Sequence, residues 1–167
     1  MNRAETAYFA GGCFWCITPV FSEMNGVYSV VSGYSGGDEV NPAYDDVKHQ
    51  RTGHRETIRI DFDPDRVTFD ALLEIFLGSV DPFDDGGQFI DRGHSYTLAV
   101  YYTSDAQQKA TERQLHQLAE ASGMEPAVAV EPFRSFYDAE EEHQDYYLKH
   151  PAEFEQELID SGRKSRE

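Results

Sequence analysis

The chain has 167 residues, 40% of them hydrophobic and 13% aromatic, enough for one domain with its own core and too apolar for a disordered chain. Fourteen Lys and Arg stand against 31 Asp and Glu, a net charge of −17, and that field repels nucleic-acid backbones and anionic membrane surfaces. No stretch approaches the roughly 20 apolar residues of a membrane span, nothing near Met1 reads as a signal segment, and the only cysteines are Cys13 and Cys16; the expectation is a cytoplasmic protein with no disulfide scaffold.

Ala7 to Ala10 is a short apolar run that meets Gly11-Gly12, and a helix-compatible stretch follows to Asn25-Gly26, so the pattern predicts strand, glycine turn, helix. Pro19 leaves the helix start open, because proline in a helix interior lacks a donor, whereas Thr18 as cap would place it at a tolerated first position. Tyr28 to Tyr34 and Thr57 to Phe62 read as strands, the second alternating Ile58, Ile60 and Phe62 with Arg59 and Asp61 as on a sheet with one covered face. Thr68 caps a predicted helix that carries Phe69, Leu72, Leu73 and Phe76 and ends near Gly78. Tyr96 to Tyr102 reads as a strand. Ser104 and Gly123 bound a helix over Asp105 to Ser122 with Leu115 and Leu118 on its buried face, and Ala127 to Glu131 gives one more strand.

Gly33 to Arg55 and Gly78 to Ser95 are long, polar or aromatic connections of the kind that carry function. We expect an α+β fold, a single domain with a central mixed sheet and helices packed on it, the catalytic body being 1–151 and 152–167 a charged extension with a frayed end. The acidic run Glu140-Glu141-Glu142 reads as a solvated helix face.

The chemistry concentrates at Gly12-Cys13-Phe14-Trp15-Cys16. A cysteine after a glycine turn at a helix N-terminus is placed to have its thiol pKa lowered by backbone N–H groups and the helix dipole. Several readings compete: two buried small side chains, a dithiol that cycles as in thioredoxin, or a Cys2His2 zinc site with His49 and His54. The zinc reading suffers from 32 residues between the half-motifs where about 12 to 15 are usual. Phe14 and Trp15 next to a nucleophile suit an apolar, soft group.

Gly11-Gly12-Cys13-Phe14-Trp15, Gly33-Tyr34-Ser35-Gly36-Gly37, Asn41-Pro42-Ala43-Tyr44 and Thr52-Gly53-His54-Arg55-Glu56, in that order, closely resemble methionine sulfoxide reductase A. The likeness continues through Asp81-Pro82, Gly87 to Gly93, Tyr96, Pro132-Phe133, Phe136-Tyr137, Ala139-Glu140 and His143 to Tyr147, a whole-domain match rather than a lone motif.

The resemblance implies thiol-dependent reduction of the S epimer of methionine sulfoxide, free or in proteins, as repair of oxidative damage, with no cofactor beyond an external reductant such as thioredoxin or dithiothreitol. It implies Cys13 as nucleophile and Glu56 as proton donor, a carboxyl whose pKa burial should raise. It assigns Tyr44 and Tyr96 to the sulfoxide oxygen, Phe14 and Trp15 to the S-methyl group, and Asp91 to ordering the site. His54 and His143 are expected to serve packing or hydrogen bonding.

The chain departs from relatives that carry resolving cysteines in a C-terminal tail or where Lys48 stands, which leaves Cys16 to condense with a Cys13 sulfenic acid. His94, Ser95 and Thr97 also depart around Tyr96 and bear on substrate choice. The alternative function is a dithiol-disulfide oxidoreductase using the CxxC pair.

Overall fold

The computed structural model describes residues 4–88, 91–144 and 146–160. Phe89, Ile90, Asp145 and the end expected to fray, 161–167, lie outside them. In chain order the elements are β1 (Glu5–Gly11), α1 (Phe14–Ser22), β2 (Val27–Ser35), α2 (Tyr44–Lys48), β3 (Arg55–Phe62) and α3 (Phe69–Ser79). There follow β4 (Gly87–Gln88), β5 (Asp91–Arg92), β6 (Leu98–Tyr102), α4 (Asp105–Ser122), β7 (Val128–Pro132), β8 (Phe136–Asp138), α5 (Tyr146–Lys149) and α6 (Pro151–Asp160).

Six strands form one sheet in the order β7-β6-β1-β3-β2-β8, and β4 and β5 form a separate two-stranded piece. The sheet is mixed: β1 pairs antiparallel with both β3 and β6, whereas β6 and β7 run parallel. A parallel neighbour needs a crossover, and α4 provides it. This is the expected α+β fold.

Alternation in β3 decides which face is covered. Ile58, Ile60 and Phe62 are buried while Arg59 and Asp61 remain half-exposed. On the covered face Phe9 stacks on Phe76 of α3 at 4.7 Å and meets Phe21 of α1 at 6.1 Å, so strand β1 is clamped beneath the two helices. The caps are as read: the Thr68 hydroxyl accepts from the Ala71 amide, Ser104 accepts from Gln107, and Gly123 takes the left-handed conformation.

Four local expectations are corrected. Helix α1 begins at Phe14, so Pro19 is interior and Thr18 is no cap; its hydroxyl instead bonds the Phe14 carbonyl at 2.8 Å. Tyr96 is not in a strand but closes a 3₁₀ turn, His94–Tyr96, entered through Gly93 at φ 120°, which turns its ring into the molecule before β6 starts. Leu115 and Leu118 are half-exposed; only the first turns of α4, through Gln107, Ala110 and Thr111, sink into the body. The run 140–142 is likewise no helix face, since Glu140 precedes a 3₁₀ turn at Glu141–His143.

Candidate active site

Cys13 is the N-cap of α1, 5% exposed, and follows Gly12 at φ 86°, a conformation that favours glycine. The turn swings the chain from the end of β1 into the helix and leaves the thiol at the helix mouth. Glu56 comes from the start of β3, across the sheet from β1. It is 1% exposed, and the Phe14 amide donates to its Oε1 at 3.2 Å.

The surroundings set the protonation states. Burial pushes the Glu56 carboxyl up to about 8, partly opposed by the Phe14 amide and abetted by the charge of Asp91. Glu56 therefore holds a proton at neutral pH, as expected.

The lowered Cys13 pKa expected from the helix N-terminus is corrected: the thiol is raised well above its ordinary value, first by a hydrogen bond with Cys16, then by burial and by Glu56 and Asp91. The physical reason lies in the donors. The first amide of α1 serves Glu56, and the Cys16 amide serves the Cys13 carbonyl at 3.1 Å. A protonated Glu56 removes one of the charges that oppose thiolate formation.

The two thiols are within hydrogen-bonding reach of each other, both buried and neither in a disulfide. Asp91, on β5, acts electrostatically on Cys13, Glu56 and Tyr96. Tyr96 is buried; its pKa is raised by burial first and then by Glu56, Tyr44, Cys13 and Asp91. Its hydroxyl remains a donor at any physiological pH.

The rings assemble around α2. Tyr44 opens that helix and lies 6.2 Å from Phe14 and 6.0 Å from Trp15, both in stacked arrangements. Lys48 sits over the Tyr44 ring at 5.7 Å and tends to lower the Glu56 pKa. All eight residues singled out from the sequence thus gather at one end of the sheet. His54 does not join a metal site with them: Nδ1 accepts from the Gly37 amide and Nε2 faces the Glu39 carbonyl at 2.8 Å. His49 is exposed.

Sequence reasoning missed one support, Glu140, whereas His143 meets its expected packing and hydrogen-bonding role. Glu140 accepts from the Tyr34 hydroxyl at 2.8 Å and from the Tyr44 amide at 3.0 Å, tying α2 to the sheet. His143 stacks on Tyr44 at 4.0 Å and accepts a bond from the Trp15 indole at 3.2 Å. A groove of about 440 Å³ between 41–43 and β8 runs beside them. A second cleft of about 540 Å³, between α3 and α4, contains no nucleophile.

A cysteine pair beside a proton-bearing carboxyl, walled by rings and tyrosine hydroxyls, defines a thiol oxidoreductase. The family model described as peptide methionine sulfoxide reductase matches residues 5–167. The MsrA of Bacillus licheniformis is 45% identical over 97% of this chain and 91% of its own. Methionine sulfoxide reductase A of Corynebacterium diphtheriae, a solved structure, shares 31% identity, with TM-score 0.81 over 89% of this chain and 76% of that one.

Reduced Mxr1 of Saccharomyces cerevisiae gives TM-score 0.85 at 26% identity, covering 90% and 87%. Mxr1 in complex with Trx2 shares the fold at TM-score 0.57 and 18% identity, over 86% and 85%. The chain belongs to the peptide methionine sulfoxide reductase family. Its activity is thiol-dependent reduction of methionine sulfoxide, and the CxxC dithiol-disulfide alternative is set aside.

Proposed function

We propose that Cys13 and Glu56 carry out the reduction on the S epimer, in free or protein-bound methionine sulfoxide. The single observation that carries this reading is the protonated, buried Glu56 carboxyl electrostatically coupled to the Cys13 thiol. Oxide is a poor leaving group, so the S–O bond can break only if the oxygen gains a proton as the Cys13 sulfur attacks.

In the proposed step Cys13 sulfur supplies an electron pair to the sulfoxide sulfur, Glu56 protonates the oxygen, and the thiol proton restores Glu56. The hydroxyl ends on Cys13 as a sulfenic acid while the thioether leaves as methionine. Tyr44 and Tyr96 hydroxyls donate to the oxygen, Phe14 and Trp15 hold the methyl, and Asp91 orders the groups around Cys13.

Cys16 then attacks the sulfenic acid sulfur, forming a Cys13–Cys16 disulfide and releasing water. The two-residue spacing and the thiol–thiol hydrogen bond support this choice. A thioredoxin-like dithiol reduces the disulfide and is itself oxidised; dithiothreitol serves in vitro, and no further cofactor enters the cycle. The setting is cytoplasmic, where such reductants are available. We read 1–151 as the catalytic body and 152–167 as its extension, with α6 lying against α1 and α5.

The test is turnover of both epimers of a blocked methionine sulfoxide with dithiothreitol. Reduction of the S epimer alone, lost in Cys13→Ser, is the expected result. Equal turnover of both epimers, or activity surviving in Cys13→Ser, overturns the reading.

A further inference from the structure

His143 stands 128 residues from Trp15 in sequence, yet its Nδ1 accepts the indole Nε1–H at 3.2 Å. The same ring lies 4.0 Å from Tyr44, 5.6 Å from Trp15 and 5.9 Å from Phe14. One imidazole therefore touches three of the rings that wall the site. An acceptor at Nδ1 requires the neutral ring with its proton on Nε2.

We propose that neutral His143 is a positioning residue that holds the Trp15 indole against the methyl of the sulfoxide substrate, and that protonating it releases this wall. The inference rests on the role given to Trp15 above. Protonation would put a hydrogen on Nδ1, where the indole N–H already points, so two donors would face each other and the bond would be lost.

The groups that face the ring are few. Glu140 and Glu142 come from its own segment, the latter with Oε1 3.7 Å from Nε2; Asp45 comes from α2 and Lys149 from α5. The three carboxylates favour the charged ring, whereas burial, the largest influence, and Lys149 oppose it. Burial prevails and the pKa lies below the ordinary histidine value. The catch is thus closed at neutral pH and opens on the acid side.

Trp15 is the sole tryptophan of the chain, so the indole emission of the whole protein reports on this contact and needs no turnover. The experiment titrates that emission from pH 7.5 to 4.5 in the intact chain, in His143→Phe and in His143→Asn, and measures KM and kcat across the same range.

A transition with its midpoint below about 6.5 is expected in the native chain and in neither variant. At pH 7.5, His143→Asn should keep the native emission, because its amide oxygen can take the indole bond. His143→Phe should shift it and raise KM roughly three- to tenfold, the scale of one hydrogen bond, with kcat moving less.

A flat native titration, or a transition that survives in His143→Phe, overturns the proposal. Should His143→Phe fail to fold, the native chain and His143→Asn still decide it. A native transition without sulfoxide turnover would sink the catalytic reading alone; turnover with flat emission would sink this inference alone.

Discussion

The wall that carries Cys13 and Glu56 is strand and helix, whereas the wall facing it is loop with short elements set in it. Cys13 follows β1 and Glu56 starts β3, and these strands are paired antiparallel from Glu5↔Phe62 to Phe9↔Ile58. Tyr44, Asp91, Tyr96 and His143 come instead from short pieces between the main strands and helices, α2, β5 and two 3₁₀ turns, stitched by side chains. Gln50 bonds Ser95 at 2.8 Å, the Gly53 amide bonds Glu39 at 3.1 Å, and Glu140 holds Tyr34 and Tyr44. In the proposed reaction the sheet fixes the groups that move electrons and protons. The same proposal gives the stitched connections the grip on substrate, and there a single lost bond should loosen binding before it harms the fold.

The largest effect belongs to the sheet wall. Glu56→Gln keeps the shape and a donor but cannot release a proton, so kcat/KM should fall by roughly 10²- to 10⁴-fold, the usual worth of a general acid. In the native chain kcat/KM should decline above about pH 8 as Glu56 ionises. Near-native activity in Glu56→Gln would remove the proton donor from the proposal.

The same group predicts a stability effect with a definite sign. Glu56 ionises near 4.3 in an unfolded chain but at about 8 when folded. Between these values unfolding releases a proton, so the native state loses stability as pH rises through the window, and the loss is complete above it. At pH 7 the cost is roughly 4 kcal/mol. Denaturant melts should show Glu56→Gln gaining on the native chain between pH 4.5 and 8; parallel pH profiles would refute the buried, protonated state.

Next comes Cys16, in the first turn of the helix that Cys13 caps, to which the proposal gives a role only after the first chemistry. Cys16→Ser should yield about one methionine per chain in a single turnover and then stall with thioredoxin as the reductant. Full steady-state turnover would mean that the reductant attacks the Cys13 sulfenic acid directly.

The contrast between the walls also explains what could be read in advance. Ile58, Ile60 and Phe62 announce β3 through their alternation, Thr68 and Ser104 announce their helices, and the glycine turn announces Cys13, because each is a local pattern. Tyr96 reads as strand because aromatic, β-forming residues follow it; Gly93 and the 3₁₀ turn that redirect it have no such signature. The Cys13 pKa departs from the helix-end expectation because the hydrogen bond with Cys16 and burial raise it, while the first helix amide is taken by Glu56, 42 residues away. Glu140 reads as part of a charged run, and the Tyr44 amide it holds lies 96 positions distant; His143 reads as a packing or hydrogen-bonding residue, but its partner, 128 positions away, has no local signature. The long connections could be recognised as functional, but not which stitches close them.

The smallest predicted effect tests those stitches. Glu140 uses both carboxylate oxygens, one on the Tyr34 hydroxyl and one on the Tyr44 amide. Glu140→Gln leaves a single oxygen for two donors and sets an NH2 against the other. If Glu140 only solubilised the surface, the change would stay within about 0.5 kcal/mol, as for exposed substitutions generally. As a tie on α2, its loss should displace Tyr44 and raise KM about three- to tenfold, the worth of one hydrogen bond, with little change in the melting temperature. Glu141→Gln, next in the chain and exposed with its carboxylate on Lys149, supplies the control. Indistinguishable KM values for the two variants would show that α2 keeps Tyr44 in place without Glu140. A selective rise in Glu140→Gln would show the loop wall to be as specified as the sheet wall, through side chains rather than strand register.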